Sequence, residues 1–132
     1  KYSVFIVDDD KFLLGMYQKK FISKGFDVEV AAGSEETLSS LRKGAKPDVL
    51  ILDVIMPNMD GIELLENIRK EKLVPNAIIV MLSNESNRDK IEKAKSLGVN
   101  DYIVKATSIP SEVVEEVLKV INFKDIINSK DK

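Results

Sequence analysis

Five short runs rich in β-branched residues, each followed by a stretch of helical spacing, constrain this chain more than any other feature. The runs are "SVFIV" (3–7), "DVEVAA" (27–32), "DVLILD" (48–53), "AIIVML" (77–82) and "DYIV" (101–104). At least three are continuously apolar, as expected of strands covered on both faces of a parallel sheet. Between them, apolar residues recur at intervals of three and four. They are Phe12, Leu13, Met16, Tyr17 and Phe21 in 11–24, Leu38 and Leu41 in 35–43, and Ile62, Leu65 and Ile68 in 59–71. Ile91, Ala94 and Leu97 continue the pattern in 87–97, as do Val113, Val114, Val117, Leu118 and Ile121 in 111–127.

Punctuation supports these boundaries. Gly25, Gly44 and Gly98 stand where helices should stop, and Ser34 is placed to cap the second helix. Pro47 and Pro75 fall in connectors before strands, and Pro110 suits the first turn of the last helix. Strict β–α alternation predicts an α/β fold, with a parallel sheet, right-handed crossovers and helices on both faces. At 132 residues there is room for one domain. It is expected over 1–127, followed by a polar tail, "NSKDK", at 128–132. The chain opens at Lys1 rather than methionine, so neighbouring domains of a longer protein are also an expectation.

Composition matters mainly for what it excludes. The chain has no cysteine and no histidine, which rules out thiolate chemistry, a Ser-His-Asp site, a His-ligated metal and a phosphohistidine on this chain. A net charge of −2, with both signs interspersed, gives no broad field favouring nucleic acid or an anionic membrane. No apolar run approaches the roughly 18 residues of a membrane span.

Ligands of an open parallel sheet bind at the carboxyl ends of its strands, so the residues found there carry the functional argument. The first run ends in Asp8, Asp9 and Asp10, and the third in Asp53 followed by "VIMPNMDG". The fourth ends in Ser83 and then Asn84, and the fifth in Lys105. Carboxylates without histidine or cysteine make an all-oxygen site, the preference of a hard cation such as Mg²⁺, which takes one or two carboxylates plus a phosphate. A lysine and a hydroxyl opposite are donors for phosphate oxygens. An aspartate can itself be the nucleophile that receives a phosphoryl group. Asp10 is read either as a metal ligand or as an acid at the start of the first helix.

"FIVDDD", "DVLILDVIMPNMDG", "IIVMLSN" and "DYIVKA", in this order, resemble the receiver (response-regulator) domain of two-component phosphorelay signalling, of the chemotaxis-regulator-like kind. The resemblance covers residues 1 to about 125. It implies a flavodoxin-like, doubly wound five-stranded sheet of order 2-1-3-4-5 with five helices. By motif position it makes Asp53 the phosphoacceptor, Asp8 and Asp9 the acidic pair for Mg²⁺, and the Ile55 carbonyl a further ligand. Ser83 and Lys105 would hold phosphoryl oxygens, and Ser83 and Tyr102 would be the switch residues. Ile55 and Glu85 occupy the variable positions that tune the site, and an apolar Ile55 cannot hold an attacking water, so self-dephosphorylation is expected to be slow to moderate. The implied partners are a sensor histidine kinase or histidine phosphotransfer protein, and a downstream protein or fused output domain. A homodimer through helix four, strand five and helix five is also implied, with no direct contact to nucleic acid or membrane and a cytoplasmic location. One departure stands out: the family's usual proline after the strand-five lysine is Ala106 here, which permits a trans peptide.

Two enzyme or cofactor readings compete. Asp8-x-Asp10 has the form of the haloacid-dehalogenase phosphatase signature, but Phe12 stands where that class has threonine or valine, and the chain is short for it. An FMN-binding flavodoxin needs a hydroxyl- and glycine-rich phosphate loop after strand one, and an acidic run there has the wrong sign.

Overall fold

The structure, a computed structural model, describes residues 2–84, 87–105 and 109–130, with side chains of the last helix described through Asn122. Strands β1 (Ser3–Val7), β2 (Asp27–Ala31), β3 (Val49–Asp53), β4 (Ile78–Ser83) and β5 (Asp101–Val104) alternate with five helices. These are α1 (Lys11–Ser23), α2 (Ser34–Arg42), α3 (Gly61–Lys70), α4 (Arg88–Ser96) and α5 (Pro110–Lys130). The sheet has the expected order β2-β1-β3-β4-β5, and every pairing is parallel. Every residue of β3 and β4 is buried, because each strand has helices above and below it.

Two apolar layers result. Phe5, Leu50, Leu52, Ile79 and Met81 face α2, α3 and α4. Ile6, Ile51, Val80 and Ile103 face α1 and α5. Alternate residues of one strand serve opposite layers, as the two-residue strand period requires. The layer beneath α4 is thin, since Ala94 is the helix's one fully buried residue among those described. Arg69 of α3 compensates, donating through Nε to the Leu97 carbonyl at 2.9 Å and through Nη2 to that of Gly98 at 3.3 Å. These are carbonyls of the kind a helix end leaves unpaired.

Three local expectations need correction. Ser34 does not cap α2: Gly33 occupies that position, no side chain caps the helix, and the buried Ser34 hydroxyl donates instead to the Met59 carbonyl at 2.8 Å. A hydroxyl drawn under the neighbouring β3–α3 loop satisfies that loop rather than its own helix. Phe12 is not part of the packed stripe of α1. It is 76% exposed, and Leu14, Tyr17 and Phe21 form the buried face. The helix starts one residue after the Asp10 cap, which turns position 12 outward. Finally, α5 runs to Lys130, three residues past its expected end. Gly25, Gly44 and Gly98 do follow their helices with positive φ, as helix stops commonly do.

Candidate functional site

Strand register brings the strand-end residues together. Val7 is paired with Leu52, so the next residues along, Asp8 and Asp53, emerge side by side. On the far side Ser83 pairs with Val104, which puts Lys105 just beyond the end of β4. Asp8 and Asp53 are 1% and 5% exposed, whereas Asp9 is open to solvent. One carboxylate oxygen from each of the three lies within 4.8 Å of the others. The cleft above them, about 370 Å³, is also bordered by Lys105, Asn84 and Ile55.

Each carboxylate is differently held. Asp8 Oδ1 accepts from the Asp10 backbone N–H at 2.9 Å, and its Oδ2 accepts from Lys105 Nζ at 2.9 Å. Lys105 Nζ also stands 3.4 Å from Asp53 Oδ1. Asp10 resolves to the helix-start reading, for its Oδ1 accepts from the N–H groups of Phe12 and Leu13, both at 3.1 Å. It therefore does not join Asp8 in an Asp-x-Asp pair.

Burial pushes the Asp53 carboxyl up to about 7; the Asp8 charge adds to the rise, and Lys105 works against it. Burial works against the charged form of Lys105, but the hydrogen bond to Asp8 and the charges of Asp53 and Asp8 outweigh it and raise its pKa. One ammonium thus serves two buried carboxylates and leaves a surplus of negative charge. Three converging oxygen donors with such a surplus fit a hard divalent cation. The Asp53 backbone is held from behind: a Cβ on Gly61 would collide with the Asp53 carbonyl oxygen. The Gly61 N–H donates to the Val54 carbonyl at 2.7 Å.

Other expected residues lie farther back. Ser83 is fully buried at the end of β4, and Asn84, the residue after it, borders the cleft. Tyr102 is half-buried against the α2–α3–α4 layer and borders a separate groove between β5 and α5. Ile55 is 49% exposed at the cleft. Glu85 and Ala106, and with Ala106 its peptide bond to Lys105, lie outside the described residues. Sequence reasoning missed Tyr17, assigned only to the packing stripe. Its buried phenol is near enough to the site for charges there to act on it. Burial raises its pKa, Lys105 opposes the rise, and Asp8, Asp53 and Asp10 add to it. The available signal was its position seven residues after Asp10, two turns along the same helix face.

The family profile of the response regulator receiver domain matches residues 4–118. The chain belongs to this family. Among curated proteins, the alkaline phosphatase synthesis transcriptional regulatory protein PhoP of Bacillus subtilis is 32% identical over 123 residues, covering 93% of this chain and 50% of PhoP. The transcriptional regulatory protein PdtaR of Mycobacterium tuberculosis is 31% identical over 93% of this chain and 58% of its own length. The receiver chain thus spans about half the length of these relatives. Among solved structures, the chemotaxis protein CheY4 of Vibrio cholerae superposes with a TM-score of 0.81 at 30% identity, over 90% of this chain and 98% of that one. A CheY-like receiver domain from Methanospirillum hungatei shares the fold, with a TM-score of 0.83 at 24% identity. This is a receiver domain of two-component signalling. No described helix is long and apolar enough to cross a membrane.

Proposed function

We propose that this receiver domain takes a phosphoryl group onto Asp53 from a phosphohistidine of a sensor kinase or phosphotransfer protein. The observation that carries the reading is the convergence of buried Asp53 with Asp8, Asp9 and Lys105 at the carboxyl edge of the sheet. In the transfer, an Asp53 carboxylate oxygen forms the new P–O bond while the donor's P–N bond breaks and its imidazole leaves with the electron pair. Asp8, Asp9, Asp53 and the Ile55 carbonyl would hold Mg²⁺, which supplies charge neutralisation for the attacking carboxylate and the incoming phosphoryl oxygens. Lys105 supplies a fixed positive charge beside Asp8 and Asp53. Asp10 caps α1, which holds the Asp8–Asp9 turn in place. Gly61 permits the close approach that sets the Asp53 backbone.

Ser83 and Tyr102 are the proposed switch pair, and the α4–β5–α5 face the proposed surface for a downstream partner, a fused output domain or a second copy. The weak packing of α4 suits an element whose position is biased by the state of the site. The transcriptional relatives are about twice this chain's length, which makes a fused output domain a natural arrangement. A cytoplasmic setting and slow to moderate loss of the phosphoryl group, with Ile55 and Glu85 as tuning positions, complete the reading.

Beryllofluoride, a phosphoryl mimic, tests it. Fluorine NMR should show a bound species that requires both Mg²⁺ and the domain and is absent from Asp53→Asn. Binding that survives this substitution refutes the assignment.

A further inference from the structure

The edge of the sheet opposite the phosphoacceptor carries a feature the switch does not use. The connectors after α2 and α3 run side by side because they feed the neighbouring strands β3 and β4. Between them opens a groove of about 490 Å³, within the range of about 300–1,000 Å³ that holds ligands and side chains. Its floor is Leu41, Ala45, Leu73, Val74 and Ala77. These residues belong to the α2–α3–α4 apolar layer or pack against it, so the core itself reaches the surface here. Lys72, with φ 58, follows the end of α3, and its N–H donates to the Arg69 carbonyl at 3.1 Å; the β-branched Val74 beyond it has φ 40.

Lysines outnumber uncompensated acids around the groove. Lys46 and Lys72 line it, Lys43 adjoins it in sequence, and Lys70 precedes it by two residues. All four are exposed, and none is ion-paired with a described residue. Of the two acids nearby, Asp48 keeps its charge and Glu71 is offset by Arg42. Asp48 Oδ2 accepts from the backbone N–H and hydroxyl of Ser3, at 2.9 and 3.3 Å. Glu71 receives Arg42 in a two-bond pair at 2.8 and 2.6 Å. On a chain of net charge −2, this leaves an apolar groove with a locally positive rim.

We propose that this groove docks a protein segment that presents apolar side chains between carboxylates. The floor takes the apolar side chains, and Lys46 and Lys72 meet the carboxylates. Four strand residues, 49–52, lie between the groove's Asp48 and Asp53, a span of about 16 Å along β3. The two sites share no lining residue, and docking here is expected not to follow the state of the phosphoacceptor.

The test is an NMR titration of the ¹⁵N-labelled domain with a synthetic peptide of alternating leucine and glutamate, and with its leucine–lysine counterpart. The acidic peptide should perturb the amides of Ala45, Lys46, Leu73 and Val74, weaken with added salt, and bind equally well with and without beryllofluoride and Mg²⁺. Lys46→Glu with Lys72→Glu, both at exposed positions, should keep the fold and weaken binding about tenfold. The proposal is overturned by any of four results. These are equal binding of the lysine peptide, perturbations centred elsewhere, unchanged affinity of the charge-reversed variant, or affinity that follows beryllofluoride. Concentration-dependent shifts of the same amides without peptide would assign the groove to a second copy and overturn it too.

Discussion

The ammonium of Lys105 lies closer to Asp8 than to Asp53: 2.9 Å from Asp8 Oδ2 and 3.4 Å from Asp53 Oδ1. It is the cation that makes two buried carboxylates tolerable in the metal-free domain. Replacing one partner of a buried ion pair leaves the other charge uncompensated, at a cost of about 3–5 kcal/mol. Lys105→Met should therefore lose about 3 kcal/mol of unfolding free energy in chelator. Mg²⁺ should restore part of it. Urea unfolding with and without Mg²⁺ checks this, and a metal-free stability equal to wild type would contradict it.

Asp9 is the exposed member of the acidic trio. Asp9→Ala should change metal-free stability by less than about 0.5 kcal/mol, as surface substitutions commonly do. Its effect should appear with metal. A ligand at a hundred times its Kd adds about 2.7 kcal/mol to stability, and this increment should shrink in the variant. Melting temperatures across a Mg²⁺ series give the answer. Wild type unmoved by Mg²⁺ would end the account of these carboxylates.

Two glycines should respond oppositely to alanine. At Gly61 a Cβ meets the Asp53 carbonyl and comes within 3.0 Å of the Val54 Cα. Gly61→Ala should cost about 2 kcal/mol or more through overpacking and slow phosphorylation in whatever remains folded. Gly15 lies within α1, and a Cβ there meets nothing within 4 Å. Gly15→Ala should add up to about 1 kcal/mol. Equal effects at the two positions, by urea midpoints, would contradict the picture of a close contact behind Asp53.

Asp101 supplies a pH dependence away from the site. Burial raises its pKa above the ordinary 3.8; the Tyr102 N–H it accepts opposes the rise, and the Glu116 charge adds to it. The folded state therefore binds this proton more tightly than the unfolded state. The resulting stability is present below pH 3.8 and is lost as pH rises through the raised value. Asp101→Asn keeps an acceptor for the Tyr102 N–H but cannot ionise. It should gain on wild type steadily from acid toward neutral pH, read as urea midpoints of both proteins. A constant difference would contradict the linkage.

The layered fold was legible because continuously apolar strands can only be buried on both faces, and because Asp53 and Lys105 are polar residues placed where such strands stop. Strand order was not legible from spacing; it came with the family resemblance. What escaped depends on tertiary contacts. Ser34 has the composition of a cap, but a neighbouring carbonyl competes for its hydroxyl. Phe12 fits an apolar stripe until the Asp10 cap fixes the rotation of the helix. Tyr17 looks like packing, and its nearness to Lys105 emerges only when α1 lies against the sheet. The closer contact of Lys105 with Asp8 spans four strands, from the end of β5 past β4 and β3 to β1, and no single segment encodes it.

The most direct test of the central claim is to incubate the domain with acetyl phosphate and Mg²⁺, then measure its intact mass and map the modified peptide. The account predicts one added phosphoryl group, located on the segment that contains Asp53, dependent on Mg²⁺ and absent from Asp53→Asn. An adduct that persists in Asp53→Asn, or that maps to Asp8 or Asp9, would contradict it.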